Sequence, residues 1–118
     1  MPTKVTSSAY FDKEFKYLLR KYPSVRAELG VLTDQLRNDQ RPGDKLQGIG
    51  YETYKVRLRN RAARKGKSGG FRVIYYVRLA DHVALLTIYT KTQQQDISAA
   101  DIQQIIEDYL AQEDEDND

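Results

Sequence analysis

The chain has no cysteine, a single histidine, and no apolar run near the length of a membrane span. Without cysteine there can be no disulfide, thiolate metal site or thiol nucleophile. The lone His82 falls in a predicted turn, Ala80-Asp81-His82, remote from any candidate partner. It reads as a solvent-facing turn residue, which leaves a Ser-His-Asp triad or a histidine metal site without support. A membrane helix needs about 20 consecutive apolar residues, and the N-terminus lacks the apolar core of a signal peptide. The expectation is a cytoplasmic protein with no membrane partner. A further absence is local. Residues 92–118 contain no Lys or Arg and nine Asp and Glu, a charge of −9, whereas residues 1–91 hold all 19 cations against eight acids, a charge of +11. Such asymmetry is expected of a nucleic-acid binder with an acidic tail, or of a solvated basic surface beside a disordered C-terminus.

What is present has the periodicity of one α+β domain. Its 118 residues suit a single unit. Thr3 to Thr6 is a weak first strand, and Ser7 or Ser8 offers a helix N-cap. Phe11, Phe15, Leu18, Leu19 and Tyr22 then form an apolar helix stripe. Pro23 ends that helix. Ser24 caps a second helix, in which Val25, Leu29, Leu32 and Leu36 repeat at helical spacing to about Asn38. The two read as a hairpin packed on a sheet. A turn-rich stretch, Asp39 to Gly50, is anchored by Leu46 and Ile49. Three antiparallel strands follow: Tyr54–Arg59, Phe71–Arg78 and Val83–Lys91. The last is apolar on both faces and is therefore expected at the centre of the sheet, covered on both sides. Ser98 opens a final helix with the stripe Ile102, Ile105, Ile106, Tyr109 and Leu110. The domain is expected to span residues 1–111, with 112–118 an acidic, disordered tail that folding does not need.

Strand alternation sorts the charges. Tyr54, Val56 and Leu58 share one face, and Lys55, Arg57 and Arg59 the other. In the next strand Phe71, Val73, Tyr75 and Val77 oppose Arg72, Ile74, Tyr76 and Arg78. Arg72 and Tyr76 have the parity to join the cationic row, while Tyr89 and Lys91 end the third strand at the same edge of the domain. The linking loop adds Arg61, Arg64, Lys65 and Lys67, and its glycines let backbone amides approach phosphate. Gly66-Lys67-Ser68 is not a P-loop, because Arg61 stands where the first glycine is required. A row of cations with tyrosines beside it fits a polyanion, since aromatic faces stack on unpaired bases. It also fits an ordinary solvated sheet face.

Several stretches together resemble the RelE/ParE toxin superfamily, and most of all its HigB-like branch. They are Lys21-Tyr22-Pro23, Leu46-Gln47-Gly48-Ile49-Gly50, Tyr54-Lys55-Val56-Arg57, the run Gly66-Lys67-Ser68-Gly69-Gly70-Phe71-Arg72-Val73-Ile74-Tyr75-Tyr76, and Leu85-Leu86-Thr87-Ile88-Tyr89-Thr90-Lys91. The resemblance covers the chain except the acidic tail. It implies a small α+β toxin of a type II toxin–antitoxin pair, with an N-terminal helical hairpin on a mainly antiparallel sheet and a C-terminal helix. Members of the RelE and HigB type cleave mRNA in the ribosomal A site, whereas ParE members inhibit DNA gyrase. A non-catalytic RNA-binding module is the third reading.

By the same resemblance the cleaving residues map to Lys55, Arg57 and Arg72, with Tyr89 and Lys91 as substitutes for a family arginine and tyrosine. Those family residues fall here near Gln94 and near Ser98 or Ala99. Arg59, Arg61, Arg64, Lys65, Lys67 and Tyr76 would bind RNA. The implied partners are a cognate antitoxin of helix-turn-helix type, the ribosome and mRNA, with no cofactor or metal. The chemistry asks little of the protein: the 2′-hydroxyl attacks its own phosphate, and side chains deprotonate it, offset charge on the phosphorane and protonate the leaving oxygen. Lys55 suits the base if neighbouring cations favour its neutral form. Arg57 and Arg72 suit a bidentate clamp. The general acid is not evident in the sequence.

Overall fold

In the computed structural model, which describes residues 2–59, 70–91, 93 and 96–116, the elements run β1 (Lys4–Ser7), α1 (Ala9–Lys21), α2 (Val25–Arg37), β2 (Asp44–Lys45), β3 (Thr53–Leu58), β4 (Phe71–Leu79), β5 (His82–Thr90) and α3 (Ala99–Asp116). This is the expected α+β fold. The single sheet is ordered β1-β5-β4-β3-β2. β1 pairs with β5 in parallel, and every other pairing is antiparallel. Among the described residues no helix is long and apolar enough to cross a membrane.

Local chemistry sets the helix ends. The Phe11 amide donates to Ser8 Oγ at 2.9 Å, while the Ser8 hydroxyl donates to the Leu86 carbonyl at 2.8 Å. One residue thus caps α1, a contribution of about 1 kcal/mol, and ties its start to the central strand. Ser24 does not cap α2 as expected. Its backbone is already helical (φ −63°, ψ −15°), so the hydroxyl cannot turn back to the first-turn amides, and Ser24 Oγ is buried without a partner.

Two apolar cores lie on opposite faces of the sheet. Phe11, Leu18, Val25, Leu32 and Leu36 of the helical hairpin meet Leu58, Phe71, Val73, Tyr75, Val83, Leu85 and Ile88 on one face. Ile102, Ile105, Ile106 and Tyr109 of α3 meet Ile74, Tyr76, Ala84, Leu86 and Tyr89 on the other, and Ile49 closes that core from the loop before β3. Leu46 packs at its margin, and Gln103 Nε2 donates to the Ile49 carbonyl at 2.7 Å. β5 is therefore central and covered on both sides, as its two-sided apolar sequence requires. The turn into β2 needs glycine: Gly43 has φ +95°, and a Cβ there would lie 2.4 Å from the Lys55 carbonyl oxygen.

Two expectations at the C-terminal end are overturned. α3 continues past Ala111 to Asp116, and Glu113 is not part of a loose tail. It pairs with Arg78 and accepts a hydrogen bond from the Tyr109 hydroxyl at 2.5 Å. His82 is not a solvent-facing turn residue either. It is the first residue of β5 and shares parity with Ala84 and Leu86, so its ring points toward α3 and its side chain is only 12% exposed. His82 Nε2 lies 3.0 Å from Thr6 Oγ1 and 3.2 Å from the Tyr109 hydroxyl, which are themselves 2.7 Å apart. The missing signal was tertiary: no pattern in the acidic run marks Glu113 as anchored.

Truncation after Ala111 removes the Glu113 contacts to Arg78 and Tyr109. The expected loss is about 1–2 kcal/mol, or roughly 5–10 °C in Tm for a domain of this size, measured by thermal denaturation. An unchanged Tm would mean that the helix end contributes nothing. A second prediction concerns pH. Burial, then the positive charges of Lys4 and Arg78, hold the His82 imidazole below its usual value, with Asp81 opposing. The unfolded chain therefore binds a proton at higher pH than the folded one. The stability that this neutral histidine supplies is complete above about pH 6.5 and drains as pH falls toward the folded value. Urea denaturation at pH 7.5 and 5.5 should show the loss, and His82→Gln should remove most of the difference.

Candidate functional site

The register of the sheet gathers the cations at one end. Arg57 of β3 stands directly opposite Arg72 of β4, and Arg72 directly opposite Tyr89 of β5. The three form a row across the strands on the face that α3 covers elsewhere. Lys55 lies two residues along β3 on the same face, opposite Ile74. α3 packs on Ile74, Tyr76, Ala84 and Leu86, and Arg57, toward the end of the sheet beyond them, is exposed.

Tyr89 joins this row through a backbone irregularity. Ile74 pairs with Thr87, but Tyr75 pairs with Leu85, so Leu86 is an extra residue on β5. Such a bulge turns the following residues to the opposite face. Simple alternation would put Tyr89 with Val83 and Leu85, under the helical hairpin. The bulge carries it to the Arg72 side.

The geometry of the arginines is tight. Arg72 Nη1 donates to the Gly70 carbonyl at 3.1 Å. A Cβ at Gly70 would lie 2.7 Å from Arg57 Nε and 3.0 Å from the Leu58 carbonyl oxygen, so the absence of a side chain there makes room for the Arg57 guanidinium. Two guanidinium-bearing residues directly opposite each other on one face repel. The fold keeps this juxtaposition where solvent, or an anion, can reach it.

An acid that the sequence did not single out completes the cluster. Asp96 lies in the connection between β5 and α3, two residues before Ser98, whose Oγ accepts the Asp101 amide at 3.1 Å to start α3. Its Oδ1 is 3.6 Å from Lys55 Nζ, accepts the Tyr89 hydroxyl at 3.3 Å, and accepts the Ile97 amide at 2.9 Å. The Ile97 hydrogen bond above all, with help from Lys55 and Tyr89, holds the Asp96 carboxyl below the usual carboxylate value against some desolvation. Burial, then the Asp96 charge and hydrogen bond, push the Tyr89 phenol up to about 12, with Arg72 opposing. That phenol is protonated at neutral pH. The Lys55–Asp96 pair is 34% and 65% exposed. A pair so open to water is worth at most about 1 kcal/mol, so its placement is not explained by stability. It gives Lys55 a carboxylate within ion-pair distance.

The remaining sequence-predicted residues divide. Tyr89 is in the cluster but only 3% exposed, with its hydroxyl end on Asp96. Lys91 follows the end of β5 and is exposed in a turn, and Arg59 is exposed just beyond β3; neither joins the Lys55–Asp96–Tyr89 contacts. Tyr76 is corrected: at 7% exposed it packs edge-on against Tyr51, ring centroids 5.5 Å apart, as part of the second core, and its ring has little face left for a base. Arg61, Arg64, Lys65, Lys67 and Gln94 lie outside the described residues. Among the described residues no group of three His, Asp or Glu side chains is placed to hold a metal ion.

No protein-family model matches the chain, and no curated protein sequence matches it.

Proposed function

We propose that the chain is the toxin of a type II toxin–antitoxin pair, of RelE type, and that it cuts mRNA in the ribosomal A site by attack of a 2′-hydroxyl on the adjacent phosphate. The observation that carries the reading is the row Arg57–Arg72–Tyr89, with Lys55 beside it, on the sheet face that α3 covers farther along. Two arginines directly opposite each other across a strand pair suit a dianionic phosphorane, which is the charge that develops during cleavage. Each guanidinium can grip phosphate oxygens bidentately, and Lys55 adds a third positive charge. The resemblance of Tyr54-Lys55-Val56-Arg57 and Gly70-Phe71-Arg72-Val73-Ile74-Tyr75-Tyr76 to the RelE/ParE superfamily supports the same assignment. The ribosome would supply in-line alignment, so few side chains suffice. A cognate antitoxin, expected to be a helix-turn-helix protein, would silence the toxin by covering or neutralising the +11 surface of residues 1–91.

Arg72 gives the sharpest test. Its neighbours Phe71 and Val73 are fully buried in the first core, while its own side chain is only half-buried on the opposite face. Arg72→Ala should change stability by less than about 1 kcal/mol. It should slow cleavage of A-site mRNA on programmed ribosomes by a few hundredfold, the scale of losing one transition-state contact worth roughly 3–4 kcal/mol. Arg72→Lys should recover part of that, since a point charge cannot replace the planar fork. A folded Arg72→Ala protein that cuts at the wild-type rate would remove this face from the chemistry.

A further inference from the structure

Ribonucleotide cleavage needs a base for the 2′-hydroxyl and an acid for the 5′ oxygen, and arginines serve poorly as either. Within the cluster two ionisable side chains reach solvent and are in contact: the exposed Asp96 carboxylate and the partly buried Lys55 ammonium, 3.6 Å apart. Asp96 is fixed rather than loose. The Ile97 amide and the Tyr89 hydroxyl both donate to Oδ1, and the Tyr89 ring is itself buried in the second core. The carboxylate is thus positioned through a single oxygen, Oδ1. Lysine is an ammonium at neutral pH and carries a proton that it can donate.

We infer that Asp96 is a further catalytic residue of this site, the base that takes the 2′-hydroxyl proton, and that Lys55 is the acid that protonates the leaving 5′ oxygen. This deepens the cleavage reading and rests on it. The 2′ oxygen forms its bond to phosphorus as its proton passes to the Asp96 carboxylate. The bond from phosphorus to the 5′ oxygen breaks as that oxygen takes a proton from Lys55. The products are a 2′,3′-cyclic phosphate and a 5′-hydroxyl. Asp96 is left as a carboxylic acid and Lys55 as an amine, in contact, and one proton passing between them restores the starting pair. No outside reactant is consumed. Arg57 and Arg72 stay charged throughout and hold the phosphorane.

The test compares single-turnover cleavage on programmed ribosomes of an ordinary mRNA and one carrying a 5′-bridging sulfur at the scissile bond. A thiolate leaves without a proton, so the second substrate has no need of the acid. Asp96→Asn keeps an oxygen to accept the Ile97 amide and should lose 100-fold or more on both substrates, a typical general-base contribution, with ribosome binding and Tm unchanged. Asp96→Glu, which retains the carboxylate, should recover part of the rate. Lys55→Gln should lose a similar factor on the ordinary substrate and regain at least tenfold of it on the sulfur substrate. Near wild-type cleavage by folded Asp96→Asn overturns the assignment, as does rescue of Asp96→Asn by sulfur to the extent seen for Lys55→Gln. If Asp96→Asn fails to fold, an inactive but folded Asp96→Glu overturns it and an active one supports it. Wild-type protein that cuts neither substrate ends the cleavage reading and this assignment together, whereas active wild type with an active Asp96→Asn ends only the latter.

Discussion

The β4–β5 hairpin is apolar on both of its faces, and most of the fold follows from that constraint. Phe71, Val73, Tyr75, Val83, Leu85 and Ile88 demand cover on one side, and Ile74, Tyr76, Ala84 and Leu86 on the other. The helical hairpin supplies the first cover and α3 the second. β1 shields the outer edge of β5 by parallel pairing, and Arg41 reinforces this corner by donating to the Ala80 carbonyl at 3.0 Å. The first and last helices are each held by a polar fastening as well as by apolar area. Ser8 fixes the start of α1 to Leu86, and Glu113 fixes the end of α3 to Arg78 and Tyr109.

The proposed site is what this cover leaves over. α3 buries the middle of its sheet face and leaves the end where β3 finishes, β4 begins and β5 ends. Arg57 there is exposed, and Lys55 and Arg72 are partly so. Farther in they would carry the desolvation cost of a buried charge. The distribution of charge along the chain fits the same division. The acids of residues 92–118 lie chiefly on and beside α3, and one of them, Asp96, reaches back to Lys55. On the proposed reading, a single carboxylate from the acidic segment enters the cationic end of the sheet without cancelling it.

Much of this was legible in the sequence, because period and parity are local properties. The stripes of α1, α2 and α3, the central place of β5, and the sharing of one face by Lys55, Arg57 and Arg72 all follow from spacings of 3.6 and 2. Parity failed at Tyr89, where an extra residue on β5 inverts the alternation; no residue type near Leu86 announces it. Burial of Tyr76 was hidden because parity tells which face a side chain takes, not whether a helix lies on that face. Asp96, His82 and Glu113 meet Lys55, Thr6 and Arg78, partners as far as 76 residues away in sequence, and such contacts exist only once the elements have docked. The acidic composition indicates a tail, yet α3 runs into it as far as Asp116, with Glu113 on Arg78 and Tyr109.

On the proposed reading, the RNA's own 2′-hydroxyl breaks its chain at the cationic end of the sheet. The most direct measurement uses wild-type protein, programmed ribosomes, and mRNAs that differ only by a single 2′-deoxy substitution at the cleaved A-site nucleotide. The all-ribose message should yield 2′,3′-cyclic phosphate and 5′-hydroxyl ends, and the deoxy substitution should abolish scission at that bond. Scission that persists through the deoxy position, or that leaves 5′-phosphate ends, would contradict that reading.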